Sequence, residues 1–375
     1  MPPSCFGEGC AVEWAAMTDD KQRRLDAIVR GLDGRIERQI GGAREHFISA
    51  SYWPGVKHYD YLLELQGCGF DNYPMASIEN PNAMFFMERM LGCEMRHVDG
   101  RQDFFHTFCV PCIKEAGDVD KITVDFSKSP IWEPYYTGLQ AHAVSPEASL
   151  PIPLPAFCPV DAACAMMGQC EFLMLLAEDI RGACHVIDFI SEAYMGMIRQ
   201  IRKVAATSSS PSKNIMNIRG VGINGYPGVY VSDLSTVNLS PQILEKLVPF
   251  YKKVADFAGG MTLNIAVPDI ALMRDIVSVP SFHGFFFDAR LGVKDISTIL
   301  GKKIFIIYHY IFDDTVNGVG LKNGEYVNPI VHAHSRNIAE VFEVLAERHS
   351  IMAMICRRTK QEAMEMKEEL CRWVK

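Results

Sequence analysis

Between Gly228 and Arg357 the chain alternates short apolar runs with longer stretches in which apolar residues recur every three or four positions. The runs have the length of buried strands, and the stretches have the spacing of amphipathic helices. GVYVSD ends on Asp233, MTLNIAV carries Asn264, and GFFFDAR carries Asp288. IFIIYHY ends on His309 and Tyr310, and IMAMICR ends on Cys356 and Arg357. Such a series predicts parallel strands joined by helical crossovers. The simplest such fold is an irregular (β/α)8 TIM-type barrel, whose active site gathers at the C-terminal ends of its strands. The polar residues that close each run are therefore the candidates for chemistry.

Upstream the same criteria predict an N-terminal helical extension. Residues 1–17 read as a loose arm, and Thr18-Asp19-Asp20 caps a charged helix that stops at Gly41-Gly42. His46 to Trp53 reads as the first strand. Asn80-Pro81 opens an apolar helix closed by Gly92, residues 94–126 suit two or three short strands, and 130–143 suit a helix. A long helical region follows from Asp161 to about Thr207, with breaks expected near Gly168 and Gly182. SSSPSKN (208–214) is a polar loop, and DDTVNGVGLKNGEYVNPI (313–330) is a Gly/Asn-rich excursion where barrel enzymes carry a substrate loop. The chain thus divides into an arm and helix (1–45) and one barrel domain (46–375).

Composition narrows the function classes. Hydrophobic residues make up 49% and charged residues 22% of 375, ample for a packed core. The net charge is −8 and no Lys/Arg run is interleaved with aromatics, which argues against a nucleic-acid partner. The apolar runs fall short of the roughly 20 residues that span a bilayer, so no membrane association is expected. The start, MPPSCFGEGCAVEW, lacks a secretory pattern, so a cytoplasmic location is expected. Most of the twelve cysteines lie in apolar runs (Cys164, Cys170, Cys184, Cys356), as small hydrophobes in a reducing compartment do. Cys109-Val-Pro-Cys112 is the only CxxC. With no second CxxC or paired histidines beside it, a redox or zinc role is the weaker reading.

Each strand-end residue has a chemical reading and a structural one. Asp233 suits a general base or an anchor for substrate N–H groups, or else a helix cap or buried structural carboxylate. Asp288, two residues before Arg290, is a ligand or base, or half of an ion pair. His309 suits a proton shuttle or metal ligand and Tyr310 an acid or orienter; adjacent strand residues face opposite sides, so at most one points cleanly inward. Cys356 suits a thiolate nucleophile or metal ligand, or a small buried hydrophobe. A catalytic zinc wants three protein ligands, which His309, Cys356 and Asp288 would supply. Asn264 suits a hydrogen bond to substrate. Tyr52 and Trp53 suit an apolar floor under a flat ligand, or ordinary core. His332 and His334 read as loop residues near the mouth, and Cys184-His185 as core or flank.

Three segments carry a family resemblance. VSDLSTVNLSPQILEKLVPFYKKVADF resembles the passage of the uroporphyrinogen decarboxylase-like superfamily in which a strand ends in Asp and a helix begins Leu-Ser-Pro. CPVDAACAMMGQCEFLMLLAEDIRGACHVIDFISEA and FHGFFFDARLGVKDISTILGKKIFIIYH resemble its preceding helical region and its later strand–helix–strand passage. The resemblance covers residues 150–375 and implies two activities. The decarboxylases work without metal, through an Arg-rich N-terminal motif and the strand-end Asp; here the corresponding ISASYWPGVKHYDYLL has no paired arginines to meet a polyanionic substrate. The cobamide-dependent relatives move a methyl group between a small molecule and a corrinoid protein, with zinc held by His-x-Cys and a later Cys. Here Asn264 and Ala266 stand where that His and Cys would be, and Cys356 stands where the third ligand would be. The resemblance leads to a methyltransferase using a corrinoid, bound or on a partner protein, with zinc an open question. In it Asp233, His309 and Tyr310 are catalytic, Asn264, Asp288, Tyr52 and Trp53 bind substrate, and Cys356 with His309 meets the metal. The alternatives are a metal-free decarboxylase or lyase and a non-catalytic ligand-binding protein. Relatives of this kind suggest a homodimer.

Overall fold

The computed structural model describes residues 18–52, 59–74, 85–98, 107–145, 150, 152–205, 215–216, 228–233, 235–265, 270–286, 304–310, 350–357 and 359–373. Its first element, α1 (Asp19–Ile40), begins where the sequence predicts, with the Thr18 side chain accepting from the Lys21 N–H at 3.3 Å and two acids in the first turn. Leu25, Val29, Leu32 and Ile36 recur at helical spacing and are all buried, so one stripe of α1 faces the core. Arg35 fastens that helix to the next element, β1 (His46–Tyr52). It donates to Glu45 at 3.1 Å, to Asp71 at 2.5 Å and to the His46 carbonyl, and its guanidinium lies 4.4 Å from the centre of the Phe47 ring.

The remaining elements follow in chain order. They are α2 (Tyr59–Gly67), α3 (Phe86–Met90), β2 (Met95–His97), β3 (Thr107–Cys109), α4 (Trp132–Ala143), β4 (Pro153–Leu154), α5 (Pro159–Met167), α6 (Gln169–Glu178), α7 (Ile180–Ala205) and β5 (Ile215–Met216). Then come β6 (Val229–Asp233), α8 (Pro241–Ala258), β7 (Met261–Ile265), α9 (Ile270–Val277), β8 (Phe282–Phe286), β9 (Ile304–Tyr310), β10 (Ile351–Arg357) and α10 (Lys360–Trp373). Six strands form one sheet in the order β1-β10-β9-β8-β7-β6, parallel throughout. Successive strands from β6 to β10 lie side by side, as sequential strands commonly do.

Both edges of this sheet continue through irregular segments. Beside β1, the Asp71 and Asn72 side chains accept from the Ile48 and Ala50 N–H groups at 2.8 and 2.9 Å, and Asn72 also donates to the Ala50 carbonyl at 2.9 Å. These two residues satisfy an edge that would otherwise hold unpaired backbone groups. Beside β6, Phe157 bridges Val231 in parallel, and β4 pairs with β5. The described residues therefore show an α/β fold with a parallel sheet extended at both ends, and among them no strand closes it into a barrel.

In 94–126 the described residues hold two strands, β2 and β3, paired antiparallel, within the two or three expected, and residues 116–121 and 126–128 form short 3-10 segments. Of the helix expected from Asn80-Pro81 to Gly92, the described residues hold the five of α3, entered through Phe85 at a left-handed φ of 55°; Asn80 and Pro81 lie outside them. In the long helical region the first break is at Gly168 (φ 102°) as predicted, but the second falls at Asp179. The Asp179 carboxylate accepts from the Gly182 N–H at 3.0 Å, so it caps α7 while Gly182 continues it. Gly228 is required where β6 begins: its φ is 111°, and a Cβ there would lie 1.9 Å from the Gly260 carbonyl oxygen.

Candidate functional site

The sheet order brings Asp233, Asn264, His309, Tyr310, Cys356 and Tyr52 to the same end of one parallel sheet. Their backbone register is explicit. Ser232 lies opposite Asn264, and Asp233 opposite Ile265. Ala50, Ile355 and His309 form one row across β1, β10 and β9, while Ser51, Cys356 and Tyr310 form the next. Positions in neighbouring rows alternate between the two faces of a sheet. Cys356 therefore shares its row with Tyr310, and His309 belongs to the row of opposite parity. The side chains of Tyr52, Asn264, His309, Tyr310 and Cys356 lie outside the described residues. Asp288, Trp53, Arg290, Ala266, His332, His334 and the 313–330 excursion lie outside them altogether.

The side chains that are described form a buried acidic clasp at the end of β6. Asp233 is fully buried, and its Oδ1 accepts from the Val160 and Asp161 N–H groups, both at 3.0 Å. These are first-turn donors of α5, which have no partner within the helix. Its Oδ2 accepts from the Tyr251 hydroxyl at 2.6 Å. The clasp is reciprocal, because Asp161 Oδ1 accepts from the Ser235 N–H at 2.7 Å and Thr236 Oγ1 donates to the Asp233 carbonyl at 2.6 Å. Asp233 thus stands at the strand end as predicted, with its carboxylate turned to α5 and α8.

Burial, reinforced by the Asp161 charge, pushes the Asp233 carboxyl well above the usual carboxylate range against the pull of three hydrogen bonds. The same surroundings raise the Tyr251 hydroxyl, by burial first and the Asp233 charge second. Glu88, on α3 and buried, is pushed up to about 7 by desolvation, with Asp161 adding to the rise. The Cys164 thiol, hydrogen-bonded to Ser235, is pushed up to about 12, also by burial. A carboxyl poised near neutral pH beside a second acid can hold or release a proton, which is the property a general acid needs.

Glu88, Asp161 and Tyr251 do not stand out as site residues in the sequence. Glu88 interrupts the apolar run FFMERML, and an acid inside an apolar helix is the signal that marks it. Asp161 and Tyr251 carry no such signal, because only the meeting of α5, β6 and α8 makes them neighbours. Cys184 and His185 lie on α7, where His185 is exposed and its Nε2 sits 2.9 Å from Asp120.

Among the described residues no group of three His, Cys, Asp or Glu side chains is arranged to hold a metal. Among them, too, no single helix is long and apolar enough to cross a membrane. No family model matches the chain, and no curated protein sequence matches it. In three dimensions the chain is similar to a methyltransferase from Methanosarcina mazei, with a TM-score of 0.54 and 13% identity. The match covers 90% of this chain and 97% of that one, so the likeness is one of overall fold.

Proposed function

We propose that the chain is a methyltransferase on a TIM-type barrel, moving a methyl group between a small molecule and a corrinoid carried by a partner protein. The observation that supports this most is the fold shared with a methyltransferase over nine-tenths of the chain. The corrinoid, when bound, supplies the carrier for the methyl group. The chain's own residues bind and orient the small molecule at the C-terminal end of the sheet and keep water from it. Asn264, Asp288, Tyr52 and Trp53 are assigned to binding. Tyr310 and Cys356, in one register row with Ser51, are assigned to the reacting end of the substrate. His309 belongs to the adjoining row of opposite parity, so no role at the reacting end is assigned to it.

Asp233 enters this proposal as a positioning residue, since both of its oxygens are engaged by α5 and Tyr251. Glu88 takes the role of a buried acid behind the site. The zinc set His309, Cys356 and Asp288 combines rows of opposite parity, and Asn264 stands at a usual ligand position, so these residues do not fit the expected metal and no step is assigned to one. The same substitution favours a second reading, a barrel that binds ligand without turnover. A lyase using Asp233 as its base ranks below both, because that carboxylate faces the protein interior. Location in the cytoplasm and pairing as a homodimer accompany the proposal as expectations.

The test mixes the full chain with methylcobalamin and, in turn, a small thiol, an amine and an alcohol, following loss of the carbon–cobalt bond in the visible spectrum. Turnover above the protein-free rate that falls at least about tenfold (~1.4 kcal/mol) in Cys356→Ser supports methyl transfer. Buffer-level rates with all three classes, together with ligand-dependent melting, support the non-catalytic reading.

A further inference from the structure

We propose that Cys93 and Cys112 form a thiol–disulfide redox site that reacts with small-molecule disulfides, apart from the mouth of the sheet. The site rests on the meeting of two loops. Gly92, at a φ of 91°, turns the chain out of α3 and sets Cys93 just before β2, while Cys112 follows β3. β2 and β3 pair antiparallel, with Met95 opposite Cys109, which draws the two ends together. The Cys112 and Ile113 N–H groups both donate to the Met166 carbonyl, at 2.8 and 2.9 Å, so the Cys112 loop is held on the end of α5. The result is a Cys93 Sγ to Cys112 Sγ separation of 3.0 Å, with the Cys109 thiol also against Cys93.

Two further observations give the pair its polarity. Cys93 is buried and Cys112 is exposed, so only one of the two sulfurs can meet a reagent from solvent. The contact between them also divides the proton unequally: it lowers the Cys112 thiol, while hydrogen bonds with Cys109 and Cys112, together with burial, raise that of Cys93. Of the two, Cys112 is the more readily ionised and Cys93 the stronger holder of the shared proton. The separation distinguishes this pair from a zinc site. Two thiolates at about 2.3 Å from one tetrahedral zinc stand roughly 3.8 Å apart, well beyond the contact here.

The chemistry balances without a metal. The Cys112 thiolate attacks one sulfur of an external disulfide, whose S–S bond breaks and releases one thiolate. Cys93, giving up its proton to that leaving group or to water, attacks the Cys112 sulfur of the mixed disulfide and releases the second thiolate. Two protein thiols are oxidised to one disulfide, and the external disulfide is reduced to two thiols by the same two electrons. Cys109 is placed to exchange with Cys93 afterwards. None of this depends on the proposed methyl transfer.

The experiment equilibrates the reduced full-length chain with oxidised glutathione at neutral pH, quenches with acid, alkylates the remaining thiols and maps the peptides by mass spectrometry. The expected product is a Cys93–Cys112 bridge, while exposed Cys170 and Cys371 stop at glutathione adducts and serve as internal references. Cys93→Ser is expected to trap the adduct on Cys112. Cys112→Ser, at an exposed position that leaves the core untouched, is expected to lose the bridge and leave Cys93 as a free thiol. The proposal is overturned if Cys112 keeps its adduct in the unmodified chain as Cys170 does, or if Cys109–Cys112 is the principal bridge. It is equally overturned if Cys112 reacts only after a chelator has removed bound zinc.

Discussion

Removing the Asp233 carboxylate tests the clasp that joins β6, α5 and α8. In Asp233→Ala the Val160 and Asp161 N–H groups and the Tyr251 hydroxyl each lose their acceptor in a site closed to solvent. An unpaired buried polar group costs about 1–3 kcal/mol, so three at the lower end of that range give roughly 3–6 kcal/mol. Asp233→Asn should cost less than about 1.5 kcal/mol, because the amide oxygen still accepts from α5 while its NH2 can donate to the Tyr251 oxygen. Tyr251→Phe removes one donor and leaves the helix cap, and should cost about 1 kcal/mol. Urea unfolding followed by circular dichroism measures all three, together with the double variant Asp233→Ala/Tyr251→Phe. The double variant should be less destabilised than the sum of the singles, since Tyr251 then has no hydroxyl to strand. A cost below about 1 kcal/mol for Asp233→Ala would refute the clasp. Full stability of Asp233→Asn with complete loss of turnover would return Asp233 to the catalytic machinery.

Glu88 predicts a pH dependence with a definite sign. Its folded pKa of about 7 exceeds the ordinary 4.5, so between those values the folded state holds a proton that the unfolded state has released. Its contribution is therefore fully present below about pH 4.5, falls as pH rises toward 7 and then levels off, with a total on the order of 3 kcal/mol. Glu88→Gln should flatten that slope, and stability curves of the two proteins that run parallel from pH 5 to 8 would contradict the assignment. Gly228→Ala should destabilise by more than about 2 kcal/mol, because it adds an unfavourable φ to a clash with the Gly260 carbonyl. Thermal melting checks this, and an unchanged midpoint would show that β6 and β7 can separate without loss.

Much of the fold is legible in the chain itself. The caps of α1 and α8 are local, with Thr18 and Ser240 each accepting from the N–H three residues on. The apolar runs that become β6 to β10 identify themselves because strands of parallel sheets read as near-continuous hydrophobic runs. The same logic locates the polar strand ends, so Asp233, Asn264, His309 and Cys356 share one end of the sheet as their positions in those runs imply. Which of them can act together is a matter of register. One residue of offset between β9 and β10 puts Cys356 level with Tyr310 rather than His309, and no pattern within either strand contains that offset. The tertiary structure also decides that Asp233 caps a helix 73 residues away and that Glu88 titrates near neutrality, since both depend on neighbours distant in the chain. Likewise it brings Cys93 to Cys112 across the antiparallel β2–β3 pair, whereas the sequence shows only the CxxC of Cys109 and Cys112. Local chemistry fixes where elements begin and end; the electrostatics of a site comes from what else is buried beside it, and only folding assembles that company.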